Sequence, residues 1–274
     1  MDQPQPLPST PSSASEPAAP LVPFAIIVPT VYGNMIVNRY DINQTNALIK
    51  TGMAHGHREI LILSRLLNLL GKDQTFIDVG ANIGTHSLAM SHCVGPRGHV
   101  HAFEAQRIIF NMLAGTMALN GLTNVHCYNM AVGDREGRIE IPQFDYNRKM
   151  NFGSVEFGGQ QREKLAQDPG HDPSRVEYVP LTTLDRFEFQ SVNLMKIDVE
   201  GMEVSVVDGA AKTIARCRPV VFIEFVKSDK AALARRIAVM DYEIQEMGES
   251  FLCLPKEAVG ELLQKAGVPP SALT

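Results

Sequence analysis

Phe76-Ile-Asp78-Val-Gly80-Ala81-Asn82-Ile-Gly84-Thr85 is the stretch that decides the fold. A short apolar run suited to a buried strand leads straight into a turn with two glycines. A helix-forming segment, residues 85–93, follows. In an open α/β sheet that succession marks the crevice at the carboxyl end of a parallel strand, where ligands bind. Gly80 and Gly84 allow positive φ and bring bare backbone against a ligand. Asp78, at the strand end, suits a cationic group such as an aminoacyl ammonium. Asn82 adds an amide beside it, and Ala81 and Thr85 complete the turn. The spacing Gly80-x-x-x-Gly84 departs from G-x-G-x-x-G, which argues against a pyrophosphate cradle.

Outward from this turn, strand and helix alternate. Further strands are expected at residues 98–103, 125–129, 194–198 and 219–225, with two late ones near Tyr242 and Phe251. Helices are expected at 108–120, after Asp198 through residue 211, and at 230–240. The expectation is a Rossmann-like α/β fold: a mostly parallel seven-stranded sheet with helices on both faces. A helix over residues 59–70, stopped by Gly71, precedes the core. Before it, two apolar runs flanking Tyr32-Gly33-Asn34 read as a small N-terminal hairpin. The expected organisation is a disordered Pro/Ser/Ala-rich tail at 1–22, hairpin and helix at 23–72, the ligand-binding domain at 73–256, and a C-terminal helix and tail at 257–274. Residues 133–186 form a long insertion that reads as a lid or acceptor-recognition region. No internal repeat is visible.

Two acidic signals lie at strand ends. Glu104 closes the second core strand about twenty residues beyond the glycine turn, where an acid accepts ribose hydroxyls. Taken with Asp78, it favours S-adenosyl-L-methionine over a nicotinamide cofactor. Lys196-Ile-Asp198-Val-Glu200-Gly-Met-Glu203 places Asp198 and Glu200 at the carboxyl end of another core strand. Buried acids cost free energy unless they are paired, so their presence wants a reason. Dipole stabilisation at the following helix is one such reason, and it can coexist with a functional one.

These strings resemble the FkbM family of S-adenosylmethionine-dependent methyltransferases. The resemblance rests on the glycine turn, His101-Ala-Phe-Glu-Ala-Gln-Arg107, Ala118-Leu-Asn-Gly-Leu-Thr-Asn-Val125, Ala131-Val-Gly133, Asn151-Phe-Gly-Ser154 and the segment from Lys196 to Glu203, and it spans residues 24–226. It implies a class I methyltransferase fold. It further implies that Asp78, Gly80, Asn82 and Gly84 hold the methionine moiety and Glu104 the ribose, with residues 129–132, Ala131 among them, near the adenine. Asp198 and Glu200 would face the methyl group and the acceptor, and Glu59 would line the site. The implied reaction is O-methylation of a hydroxyl on a sugar, glycan or secondary metabolite, with nitrogen or carboxyl acceptors as the alternative. This chain departs from the family pattern at Ala105, where relatives carry proline, and in Gly52-Met-Ala-His55-Gly-His57. A hydroxyl acceptor must lose a proton. Asp198, Glu200, His55 and His57 are therefore the candidate general bases, a neutral histidine being basic at ordinary pH. A nicotinamide-dependent oxidoreductase and a non-catalytic nucleotide-binding scaffold are the rival readings.

Composition narrows the partners. The 274 residues carry 25 Lys+Arg against 30 Asp+Glu, a net charge of −5. No basic stripe appears, so the expectation is a small-molecule or glycan acceptor and no nucleic acid. Apolar runs are too short to cross a bilayer, and neither a basic start nor an apolar h-region suggests secretion, which makes a cytoplasmic, non-membrane protein the expectation. Cys93, Cys127, Cys217 and Cys253 are scattered beside apolar runs and read as buried structural thiols. His86, His92, His99, His101 and His126 read as surface positions, and no metal site is assigned.

Overall fold

The computed structural model describes residues 22–157, 161–168 and 176–266. Residues 1–21 of the expected tail therefore lie outside the described residues. So do 158–160 and 169–175 of the expected insertion, and 267–274 of the expected C-terminal segment.

β1 (Ala25–Thr30) and β2 (Gly33–Asn38) pair antiparallel in the expected hairpin. α1 (Gln44–Thr51) and α2 (His57–Leu70) lead to the core. There β3 (Thr75–Val79), α3 (Thr85–Ser91), β4 (His99–Phe103), α4 (Arg107–Leu119) and β5 (Val125–Tyr128) alternate. β6 (Ala131–Val132), β7 (Gly137–Pro142) and β8 (Val176–Thr182) follow. The core resumes with β9 (Leu194–Ile197), α5 (Glu203–Gly209), α6 (Ala211–Cys217), β10 (Val220–Glu224) and α7 (Lys230–Ala238). β11 (Tyr242–Met247), β12 (Ser250–Pro255) and α8 (Lys256–Ala266) complete it.

Seven strands form one sheet in the order β11-β12-β10-β9-β3-β4-β5. β5, β4, β3, β9 and β10 run parallel, while β12 is antiparallel to both β10 and β11. This is the expected class I methyltransferase architecture. The strand order reverses between β3 and β9, so their carboxyl ends frame the crevice.

The two-residue period of a strand sorts side chains onto two cores. From β3 and β9, Phe76 and Leu194 pack against Leu63 and Leu67 of α2, Leu88 of α3 and Leu113 of α4. Ile77, Val79, Met195 and Ile197 face the other way, onto Val206 and Val207 of α5, Ile214 of α6 and Leu233 of α7. By the same alternation Asp78 and Lys196 belong to the α2–α3–α4 face.

Several expectations need correction. The helix expected to run unbroken to residue 211 stops at Gly209 and restarts as α6. The Asp185 carboxylate accepts N–H bonds from Lys212 at 3.0 Å and Thr213 at 2.7 Å, capping a new helix start. The insertion is not merely a loop: β6, β8 and β7 form a second, three-stranded sheet within it. His86 is buried rather than exposed, because α3 is covered on every side and all seven of its residues are buried. His101 is half-buried, stacked on His126 and Tyr128 and tilted against Phe189. His92, His99 and His126 are exposed as expected. The four cysteines are free thiols; Cys253 is buried and the other three are half-buried. Among the described residues no helix is long and apolar enough to cross a membrane.

Candidate functional site

Strand register builds the floor of the site. Asp78 of β3 lies directly opposite Lys196 of β9, on the same sheet face. The Lys196 Nζ is 3.4 Å from Asp78 Oδ1, 3.3 Å from Asp198 Oδ2 and 3.3 Å from the Gly80 carbonyl, to which it donates. Both Asp78 and Lys196 are buried. Burial by itself would lower the Lys196 pKa, but the Asp198 and Asp78 carboxylates outweigh it and hold the ammonium above its ordinary value. The second Asp78 oxygen accepts from Ser87 Oγ at 2.7 Å. One ammonium thus ties together two strand ends and the glycine turn.

The turn itself admits no side chain at its first glycine. Gly80 has φ +75, and a Cβ there would stand 1.7 Å from the Asp198 carbonyl oxygen. The close approach of β3 and β9 therefore depends on glycine. Gly84 serves packing instead, since a Cβ there would meet Leu113 and Met117 of α4 at 2.6 and 2.7 Å.

Glu104 hangs from the end of β4 into the same crevice. Its Oε2 accepts the Asn82 backbone N–H at 2.9 Å and its Oε1 that of Gln106 at 2.7 Å. Burial pushes its pKa up to about 7, against the pull of those two bonds. A cleft opens between this acid, the turn and the end of β9. Its apolar lining includes Phe103, Met130, Val132 and Met202, and the insertion supplies Gly153, Val155 and Phe157.

That insertion wall is tied down. Gln106 Nε2 donates to the Phe152 carbonyl at 2.8 Å, and Lys227 Nζ to that of Ser154 at 3.1 Å. A Cβ on Gly153 would come 2.7 Å from Asn82 Nδ2, so the wall rests on the glycine turn. Opposite stand Asp198 and Glu200. Glu200 pairs with Lys227 at 2.7 Å, and its pKa is pushed up to about 7 by burial and then by Asp198. Glu224, at the end of β10, is pushed up to about 8 by burial, Asp198 and Glu200. Among the described residues, no group of three or more His, Cys, Asp or Glu side chains is arranged to hold a metal.

Of the residues singled out from sequence, Gly80, Asn82, Glu104, Ala131, Asp198 and Glu200 line the cleft. Asp78, Ala81, Gly84 and Thr85 lie buried around it. Glu59, on α2, is half-buried, and burial raises its pKa while Lys196 lowers it. Its interaction with Lys196, Asp198 and His55 puts the start of α2 beside the strand ends. His55 is exposed, and its N–H bonds Gln44 Oε1 at 3.1 Å. The His57 Nδ1 is 2.6 Å from the Tyr32 hydroxyl, so that nitrogen is engaged away from the cleft. The sequence reading missed Gln106 and the roles of Lys196 and Lys227. A lysine inside an otherwise apolar strand was a usable signal for Lys196, because such a charge needs buried partners.

The sequence model of the methyltransferase FkbM domain matches residues 78–251. No curated protein is significantly similar in sequence. Similar solved structures include a methyltransferase FkbM from Methylobacillus flagellatus KT, 18% identical with a TM-score of 0.45, the match covering 66% of this chain and 43% of that one. A precorrin-6y C5,15-methyltransferase from Geobacter metallireducens GS-15 is 12% identical, with 73% and 83% covered and a TM-score of 0.41. The Pyrococcus abyssi tRNA (uracil-54, C5)-methyltransferase, in complex with S-adenosyl-L-homocysteine, is 13% identical, with 85% and 43% covered and a TM-score of 0.42. The chain thus spans less than half the length of the Methylobacillus protein.

Proposed function

Because the chain belongs to the FkbM family of S-adenosylmethionine-dependent methyltransferases, we propose that the cleft between Glu104 and Glu200 binds S-adenosylmethionine and directs its methyl group to a hydroxyl of a sugar, glycan or secondary metabolite. One observation carries the donor assignment. Glu104 is buried at the floor of the cleft with each oxygen already oriented by a backbone N–H, leaving lone pairs for ribose hydroxyls. The apolar wall of Met130, Ala131 and Val132 suits an adenine. Gly80 offers bare backbone along the chain between ribose and sulfur, and the acids Asp78 and Glu59 suit the ammonium.

Bound there, the cofactor supplies a methyl group on a sulfonium, open to in-line displacement. The protein positions the acceptor oxygen and takes its proton. Glu200 is the group for the second task. It lines the cleft, and a carboxyl with a pKa of about 7 is both partly ionised and usefully basic near neutrality. Lys227 fixes its orientation, and Asp198 orients the acceptor. His55 and His57, the other candidate bases, are not among the residues lining the cleft, and the base role falls to Glu200. Three acids at this end, Asp198, Glu200 and Glu224, oppose a phosphate-bearing acceptor and favour an uncharged polyol.

Calorimetric titration with S-adenosylhomocysteine, S-adenosylmethionine and NAD tests the donor assignment. The two sulfur ligands are expected to bind at micromolar concentration and NAD not to bind, and tighter NAD binding would reject it. Ribose hydroxyls donate to the ionised form of Glu104, so binding must favour loss of its proton. Affinity is therefore expected to rise from about pH 6 to about pH 8 and to flatten in Glu104→Gln. An unchanged slope in that variant would remove Glu104 from the ribose. Glu200→Gln is expected to lower kcat by roughly 10²–10⁴ with homocysteine-ligand affinity preserved. Full turnover by that variant would eliminate Glu200 as the base.

A further inference from the structure

Glu200 stands in a backbone conformation that a glutamate has no local reason to adopt. Its φ is +56, and Gly201 follows at +106. The left-handed region crowds a Cβ against the next carbonyl oxygen, so a non-glycine residue stays there only where its surroundings hold it. The turn concerned supplies Asp198, Val199, Glu200 and Met202 to the cleft. What holds it is Glu203, the first residue of α5, whose side chain reaches back onto the turn. Its Oε1 accepts the Val199 N–H at 3.1 Å, and the Gly201 N–H is shared between Oε1 at 3.2 Å and Oε2 at 3.1 Å. The Ser228 hydroxyl donates to Oε2 as well. Glu203 is 1% exposed, and a buried acid costs free energy unless its oxygens are satisfied; these three uncharged donors satisfy both. Ser228 is next in sequence to Lys227, whose ammonium pairs with Glu200 at 2.7 Å. One carboxylate therefore grips the backbone that carries Glu200 and the backbone that carries its partner.

We propose that Glu203 is a positioning residue for the transfer reaction: it locks the turn in the left-handed conformation that presents Glu200 to the cleft, and through Ser228 it sets Lys227 against Glu200. The inference rests on the reading of Glu200 as the base and adds to it the group that keeps the base in place. Glu203 acts by its reach rather than its charge, because its three donors lie on two separate segments. Without that grip the turn is free to leave the left-handed region, and the Glu200 carboxyl to leave its buried seat. The charged groups facing that seat are Asp198 from the end of β9, Glu224 and Lys227 from the end of β10, and Glu203 itself. Burial, then Asp198, raises the Glu200 pKa, so a carboxyl released to solvent titrates lower.

The test reads that titration by carbon NMR of protein carrying isotope-labelled glutamate, with Glu200→Gln and Glu104→Gln identifying the two signals of interest. Wild type, Glu203→Asp and Glu203→Gln are compared. The aspartate keeps the charge and shortens the arm by one carbon; the glutamine keeps the length and loses the charge. In Glu203→Asp the Glu200 midpoint is expected to fall from about pH 7 toward the ordinary carboxyl range, about tenfold or more in its dissociation constant. Glu203→Gln should stay close to the wild type, since its amide oxygen can accept from Val199 and Gly201 while its nitrogen donates to Ser228. Glu104, across the cleft, should titrate alike in all three, and S-adenosylhomocysteine should bind all three alike by calorimetry. The reverse order, glutamine shifted and aspartate unshifted, overturns the proposal by making Glu203 a source of charge only. Equal shifts at Glu104, or lost S-adenosylhomocysteine binding, overturn it by showing a general loosening of the cleft. A wild-type Glu200 that titrates in the ordinary carboxyl range would instead reject Glu200 as the base, and this inference with it.

Discussion

Gly80→Ala is expected to destabilise the fold by about 3–5 kcal/mol and to abolish donor binding at any accessible concentration, the upper range for a single substitution. Two costs combine. A side chain at φ +75 carries about 1–2 kcal/mol of backbone strain. The added carbon would also stand 1.7 Å from the Asp198 carbonyl oxygen and 2.8 Å from its carbonyl carbon. Neither side can retreat cheaply. Gly80 donates its N–H to the Phe103 carbonyl at 3.0 Å, and Asp198 donates its own to Val79 at 3.0 Å, so the clash must pry apart the two middle strands. Gly121→Ala isolates the first cost, since Gly121 has φ +65 with nothing near its absent side chain. Denaturant midpoints on both variants separate the terms. Equal losses in the two would mean that the close approach of β3 and β9 is not what requires glycine.

Lys196→Met is the second large effect, expected at about 3–5 kcal/mol at neutral pH, the scale for removing one partner of a buried ion pair. The methionine fits the stem, so the loss is mainly one of charge: Asp78 stays buried without its counter-ion, and Asp198 beside it at 35% side-chain exposure. The pH dependence gives the sign. In the wild type, the raised pKa of Lys196 keeps its contribution intact up to alkaline pH. In the variant, protonating a carboxylate relieves the uncompensated charge, so the deficit should shrink as the pH falls toward about 4. Unfolding curves across that range decide it, and a deficit independent of pH would show that packing, not charge, makes Lys196 necessary.

Much of this was legible in the chain because strong local signals agreed with the global pattern. The run into Gly80, the acid at Glu104 and the strand carrying Asp198 each declare a position at a strand's carboxyl end, and parallel strands align those ends. What stayed hidden was set by register and by contacts distant in sequence. Asp78 meets Lys196 across 118 positions only because β3 and β9 pair at that offset, and nothing local encodes it. The sheet of β6, β8 and β7 was readable in part: Ile139 and Ile141 alternate in β7, as do Val179 and Leu181 in β8. The polar chain between the two strands obscured their pairing. The burial of His86 was unreadable, because α3 is enclosed by α2, a helix from outside the core motif.

Gly153 resting on Asn82 has a thermodynamic consequence. The insertion wall, proposed to meet the acceptor, is seated on the turn proposed to hold the donor, and Gln106 pins that wall to the loop carrying Glu104. On that proposal, occupancy on one side is expected to alter the free energy of binding on the other, which donor titrations with and without a bound acceptor would measure. By linkage the exchange is symmetrical: whatever factor the nucleoside contributes to acceptor affinity, the acceptor returns to the nucleoside.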